Sequence, residues 1–486
     1  MKKFLRIIWV FIFLVINGFF LFALGGCWTS TDENGFVFNL LSDRKEYEVY
    51  AGDKFNVNYT DVVIPATHKG KPVTKIKENG FRSLYPLSFD GLGVGNTNNV
   101  KSIRLPSTIN VIGEGAFYGC NLETITAESG IFKSDNNCLI EIATNTLVLG
   151  IKTSVIPDYV ERIGTAAFLG CVGLEDIVIP SSVTSIAYGA FIDSGIWNDT
   201  PDDSVVYVDR WAVGYKGFLE SPLSIQPGTV GIGESAFRDL ESAEEIVLAD
   251  SVKYICAGAF YNSRGIKRIE LSSSTITIGM SAFAHCYDLE NIMIPASVLR
   301  IDDYAFGYCM KLPSIAIPSS VTNIGVGVFA GCGGMESIEV EVNNSVFKSQ
   351  GNCLIESATN KLIAGCQKSI IPAYVVEIGE CAFMQIPEFR TIAIPSSVVK
   401  IGDRAFYNCA TLRDLVIPSS VKCIGSNAFF HCDLLSIVIP ESVIELGENV
   451  FYNSFITIYV EAESKPQGWS KDWNKDNAPV VWGYKK

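Results

Sequence analysis

Apolar and polar positions repeat along this chain with one long period. A small residue followed by phenylalanine recurs at steps of 23 residues, at Phe168 and Phe191, then from Phe237 through Phe260, Phe283 and Phe306 to Phe329. Phe383, Phe406 and Phe429 keep the same step, Phe451 follows after 22, and Phe117 and Phe81 extend the series towards the N-terminus. Residues 289–309 show the full unit: Leu289-x-x-Ile292-x-Ile294-Pro295-x-Ser297-Val298-x-x-Ile301-x-x-x-Ala305-Phe306-x-x-Cys309. Copies beginning at Leu174, Leu312, Leu412 and Leu434 follow the same plan. Self-similarity at a fixed period of roughly 20–50 residues marks a repeat architecture.

The unit has a physical reading. Its Leu-x-x-Ile-x-Ile part alternates with period two, which predicts a half-buried strand. Pro180, Pro295, Pro318, Pro395, Pro418 and Pro440 end these strands, because proline cannot donate to a ladder. A second apolar pair, such as Val298 and Ile301, is expected to turn the chain back over the core. Glycine often follows it, at Gly113, Gly164, Gly233, Gly325, Gly402 and Gly425, where a tight corner would call for its freedom of φ. The Ala-Phe pair then drops into the interior. One such coil cannot bury its own apolar edge, so coils must stack, with their strands about 4.8 Å apart in a parallel sheet. The expected fold is therefore a β-dominated solenoid of the α/β repeat class. About thirteen Phe-anchored coils would be joined by short turns or helical corners.

Three stretches break the rhythm and are expected to be inserted β-hairpins, near residues 130–157, 202–217 and 345–372. The first and third resemble each other: Phe132-Lys133-Ser134 matches Phe347-Lys348-Ser349, and Asn137-Cys138-Leu139-Ile140-Glu141 matches Asn352-Cys353-Leu354-Ile355-Glu356. Val205–Val208 and Trp211–Tyr215 suggest the second. Residues 27–57 are expected to form a tether and N-terminal cap, residues 58–460 the array, and residues 461–486 a C-terminal cap. Trp469, Trp473 and Trp482 suit the cover that a solenoid end requires, and a sugar- or protein-binding patch is the alternative.

Composition narrows the function. The chain has 486 residues, 48% of them hydrophobic and 19% charged, which excludes disorder as the main state. A net charge of -14 argues against nucleic acid as a partner. Three histidines leave little imidazole chemistry. His285 and His431 each precede a cysteine but belong to different coils, and His68 lies in a Gly/Lys loop. Cys120, Cys171, Cys286, Cys309, Cys332, Cys409 and Cys432 each sit three residues after a Phe anchor. They are expected to form an inward column of small apolar side chains. Disulfides between stacked neighbours suit such a column poorly, and free thiols outside the cytoplasm would imply a reducing niche. The adjacent carboxylates Glu244-Glu245 and Glu175-Asp176 fall at polar strand starts. No metal cluster, phosphate loop or nucleophile motif is present, so neither a cofactor nor catalysis is expected.

The N-terminus reads as a targeting segment. Lys2, Lys3 and Arg6 precede an apolar run from Ile7 to Leu24, which ends in Leu24-Gly25-Gly26-Cys27. This ending resembles the lipobox of bacterial lipoproteins. The resemblance implies that residues 1–26 form a cleaved signal peptide and that Cys27 carries the lipid; an uncleaved membrane anchor is the alternative. Cleavage would leave the chain more acidic still, so the lipid and not a basic patch would hold it to a membrane.

The repeat unit resembles the leucine-rich repeats of BspA-like bacterial surface proteins over residues 60–460. That resemblance implies display on the cell envelope, at the surface or outer membrane, and in some members adhesion to host matrix proteins such as fibronectin and fibrinogen. It offers no catalytic residues to carry over. The outward strand position holds Val178, Val247, Glu270, Met293, Ala316, Glu339, Ala393, Val416 and Val438. Charges such as Lys267, Arg268, Arg390, Arg413 and Asp414 flank this row. An apolar stripe with a polar rim suits a protein ligand, although β-propensity on a crowded sheet gives the same composition. A periplasm-facing structural protein without a host ligand is the alternative function.

Overall fold

The structure, a computed structural model, describes residues 29–83, 97, 99–127 and 130–485. The basic N-terminus and the Leu24–Cys27 sequence lie outside the described residues. The chain divides into two compact units, Met1–Thr200 and Pro201–Lys486.

In the second unit each regular coil has three sides. The Leu-x-x-Ile-x-Ile strands form a first parallel ladder. Glu245–Val247 pairs with Arg268–Glu270, Ser314–Ile317 with Ser337–Val340, and Thr391–Ala393 with Asp414–Val416. The Val-x-x-Ile segment does more than turn the chain. Its last two residues form a second parallel ladder, running through Tyr254–Ile255, Thr277–Ile278, Arg300–Ile301 and Asn323–Ile324. The third side is the Ala-Phe segment, where each Phe N–H donates to the preceding-residue carbonyl of the next coil's Phe. Phe260 donates to Ala282 and Phe283 to Ala305, both at 2.8 Å. Backbone groups on all three sides are therefore paired between coils, so side chains are free to fill the interior.

The Phe rings form that interior. Phe237, Phe260, Phe283 and Phe306 stack in turn with centroids 5.3, 5.3 and 5.5 Å apart, and Phe383, Phe406 and Phe429 at 5.2 and 5.4 Å. Each is fully buried, worth about 1.5–3 kcal/mol per ring. Two left-handed residues bracket each ring and make the corners. Around Phe283 they are Ser281 (φ 54) and His285 (φ 63); around Phe406, Arg404 (φ 51) and Asn408 (φ 55).

The glycines after the second apolar pair have another cause than the one expected. Gly113, Gly325, Gly402 and Gly425 do not adopt positive φ. A Cβ on Gly325 would lie 2.2 Å from the Asp303 amide nitrogen, and on Gly425 2.5 Å from that of Asp403. Close approach of the preceding coil excludes the side chain.

The insertions are more than hairpins. Phe347–Gln350, Cys353–Glu356 and Lys361–Ala364 form three antiparallel strands, and the third pairs in parallel with Glu377–Ile378. In the first unit, Phe132–Asp135, Cys138–Glu141 and Thr146–Gly150 do the same and continue into Arg162–Ile163. Ser204–Val208 and Trp211–Lys216 form a two-stranded version that joins Gly231–Ile232. Each insertion thus supplies a coil without a Phe anchor, and the coil count exceeds the thirteen counted from phenylalanines. In place of the ring stand Gly150 and Gly365, which donate to Ala167 and Ala382.

In the first unit residues 29–57, within the stretch expected to form a tether and N-terminal cap, are folded against the array. Thr29–Thr31, Phe36–Leu40 and Tyr47–Ala51 form an antiparallel sheet, and its last strand pairs in parallel with Lys71–Ile76. Phe36, Phe38, Tyr47, Val49 and Ala51 are buried. At the other end of the chain, Trp469 bridges to Leu446, the Val450 amide donates to the Trp473 carbonyl, and Val480–Trp482 pairs with Ile458–Val460. Residues 469–482 thereby continue all three sides of the array, and Trp473 is buried with its ring against Trp469 and Trp482. Helical corners are not used: among the described residues the single α-helix is Gly195–Asp199, capped by the Ser194 hydroxyl.

Candidate protein-binding face

The alternation of the first strand decides which side chains leave the core. In the unit around Met293, Ile292 and Ile294 point inward and Met293 is 81% exposed. Val416 is 66% exposed between buried Leu415 and Ile417. Glu270, Ala316, Glu339 and Ala393 are also exposed, and Val247 and Val438 are half-buried. Register brings Val247 beside Glu270, Ala316 beside Glu339 and Ala393 beside Val416. Val178, 73% exposed, occupies the same position in the first unit.

Two residues of this row escape the sequence pattern. Tyr459 pairs with Val438 and with Val481, which carries the row into the last coils. These strands lack the Ile-Pro ending that flags the others. Leu435 and Phe455, 69% and 100% exposed, sit at corners beside the same strands.

The rim is charged and self-paired between coils. Lys267 meets Glu244 at 2.9 Å, Lys311 meets Asp288 at 2.7 Å and Arg413 meets Asp433 at 2.9 Å. The Glu244 carboxylate holds the Lys267 ammonium above its usual range. Pairs this exposed contribute little to stability; they set the sign of the surface that an approaching partner meets.

Chemistry elsewhere is structural. All thirteen cysteines among the described residues are free. The column thiols donate to the Phe carbonyl one coil back: Cys286 to Phe260 at 3.1 Å, Cys309 to Phe283 at 3.2 Å, Cys332 to Phe306 at 3.0 Å and Cys409 to Phe383 at 3.0 Å. Ser263 makes the same bond to Phe237 at 2.6 Å. Burial pushes the Cys286 and Cys409 thiols up to about 12, the opposite of what a nucleophile requires. His285 stacks on Tyr308 at 4.4 Å and meets the Tyr287 hydroxyl at 2.8 Å. His68 stacks on Phe38 at 3.8 Å and meets the Ser30 hydroxyl at 2.7 Å. Among the described residues no group of acidic, Cys and His side chains is placed to hold a metal, and no helix is long and apolar enough to cross a membrane.

These features define a repeat solenoid that presents a parallel sheet to solvent. The family model described as BspA type leucine rich repeat region matches six copies over residues 148–215, 230–357 and 354–457, and the chain belongs to that family. Repeat scaffolds of this kind are in general non-enzymatic, and no catalytic family matches. Among solved structures, the chain is similar to a leucine rich cell surface protein from Faecalibacterium prausnitzii (22% identity, 94% of this chain, 98% of that one, TM-score 0.36). A leucine-rich repeat protein from Bacteroides ovatus is similar at 24% identity, over 85% of this chain and 95% of that one, with TM-score 0.33. The pneumococcal vaccine antigen PcpA is similar at 16% identity, over 94% and 97%, with TM-score 0.37. No curated protein matches the chain.

Proposed function

We propose that this is a lipid-anchored cell-surface protein of bacteria whose first-ladder sheet binds other proteins, with host matrix proteins such as fibronectin or fibrinogen as ligands. The observation that supports this reading is the exposure of the apolar row. Met293, Val416 and Val178 lie 81%, 66% and 73% exposed on a sheet with a charged rim, and apolar groups held in that way favour a protein partner. Membership of a repeat family without catalytic machinery supports a binding role. Lipid at Cys27 would supply the attachment.

Protease shaving of intact cells, probed with antibody to the array, tests the location. Loss of the signal while a periplasmic control survives is the expected result. Full protection would contradict surface display and favour a periplasm-facing structural protein.

A further inference from the structure

In a regular coil three amides of the third side donate to the next coil. Ser281 donates to Asp303, Phe283 to Ala305 and His285 to Gly307, at 2.9, 2.8 and 2.8 Å. The coil of Phe117 receives such bonds from the coil before it: Asn79 donates to Glu114, Phe81 to Ala116 and Ser83 to Tyr118. Its own three amides, at Gly115, Phe117 and Gly119, have no hydrogen-bond partner among the described residues. The inserted coil that follows brings Gly150 to this side, and the Gly150 amide donates onward to Ala167 in the coil of Phe168. The same register sets the Thr165 carbonyl opposite the Gly115 amide, and this carbonyl too has no partner among the described residues.

A cleft of about 150 Å³ lies between these two coils. Gly115 and Phe117 line one side of it, Val148, Leu149 and Leu169 supply apolar walls, and the exposed Glu114 and Thr165 stand at its mouth. The matching place in the second unit is drawn shut at one end. There Gly331 donates to Met384 at 2.9 Å, and Ala330, Cys381 and Met384 form one buried cluster. The counterparts Gly119 and Leu169 make no such bond among the described residues, and Ala166 stands where Cys381 does. A buried amide without a partner is costly, and Phe117 is 6% exposed. The cleft thus offers backbone donors and a backbone acceptor beside apolar walls.

We propose that this cleft binds the acetamido group of an N-acetylated sugar. A secondary amide carries the acceptor that the Gly115 and Phe117 amides call for and the donor that the Thr165 carbonyl calls for. It restores the pairing that a regular coil would have given. Its methyl group rests on Val148, Leu149 and Leu169. The Glu114 carboxylate at the mouth accepts from ring hydroxyls and repels an anion, which selects a neutral sugar over a free carboxylate. The site uses the third side and not the first-ladder sheet, so it is independent of the protein-binding reading.

Saturation-transfer difference NMR on the whole mature chain tests this, with N-acetylglucosamine, glucose and acetate as probes. Saturation of the acetamido methyl protons is expected, with none for glucose or acetate. Two variants locate the site. Val148→Phe fills the cleft and should abolish the signal while the unfolding midpoint is kept. Glu114→Ala changes an exposed side chain and should weaken binding by about fivefold or more. Val342→Asp, in the second unit, should leave binding unchanged. No saturation by N-acetylglucosamine would mean that water alone meets the amides and would overturn the proposal. Equal saturation of glucose or acetate would also overturn it, as would unchanged binding in Glu114→Ala or in folded Val148→Phe.

Discussion

A Cβ on Gly150 would lie 2.0 Å from Cε1 of Phe168, and the same distance separates a Cβ on Gly365 from Cε1 of Phe383. Each glycine holds the ring position of an inserted coil. It leaves the next coil's Phe the volume that two rings would otherwise contest. Gly365→Ala should therefore destabilise the second unit by about 3 kcal/mol through overpacking. Urea unfolding followed by circular dichroism measures this, and an unchanged midpoint would contradict the assignment.

The serine that precedes the second apolar pair has a defined role. Ser320 donates to Val298 and Ser420 to Val398, both at 2.7 Å across one coil. Ser320→Ala and Ser420→Ala should each cost about 1 kcal/mol, and the effects should add, because the sites are several coils apart. Strong coupling in the double variant would show that the bonds are not local.

The thiol column predicts sensitivity to alkali. Cys286 and Cys409 are pushed up to about 12 by burial, from 9.0 for a free thiol, and Cys309 and Cys432 are also raised. A raised folded pKa means that the contribution is fully present below about pH 9. It is lost as pH rises towards about 12, because the unfolded chain ionises first. Each column thiol then removes up to about 1.4 kcal/mol per pH unit. Serine keeps the donor and does not titrate in this range. The Cys286→Ser/Cys409→Ser variant should thus lose less stability than the parent between about pH 8 and about pH 10. Equal losses would contradict this origin.

Much of this was legible in the chain, and the exceptions have physical causes. The period placed Phe283 and Phe306 in one buried stack and Cys286 and Cys309 in one inward column, because a ladder repeats every side-chain direction. The alternation around Met293 and Val416 placed them outside. The second ladder was not legible, since the two residues Arg300–Ile301 are too few to show a strand period. Gly325 looked like a turn residue because a close approach to Asp303 comes from another coil, which no local pattern reports. The alternation Phe36, Phe38 and Tyr47, Val49, Ala51 was visible and marks a sheet, but the polar residues between obscured it.

The central claim, that the first-ladder sheet is a protein-binding face, is tested most directly by surface plasmon resonance. The mature chain is passed over immobilised fibronectin and fibrinogen, beside a Met293→Asp/Val416→Asp variant whose unfolding midpoint is verified. The account predicts saturable binding by the parent and a loss of about tenfold or more in affinity for the variant. Equal affinity of the two folded proteins would contradict it.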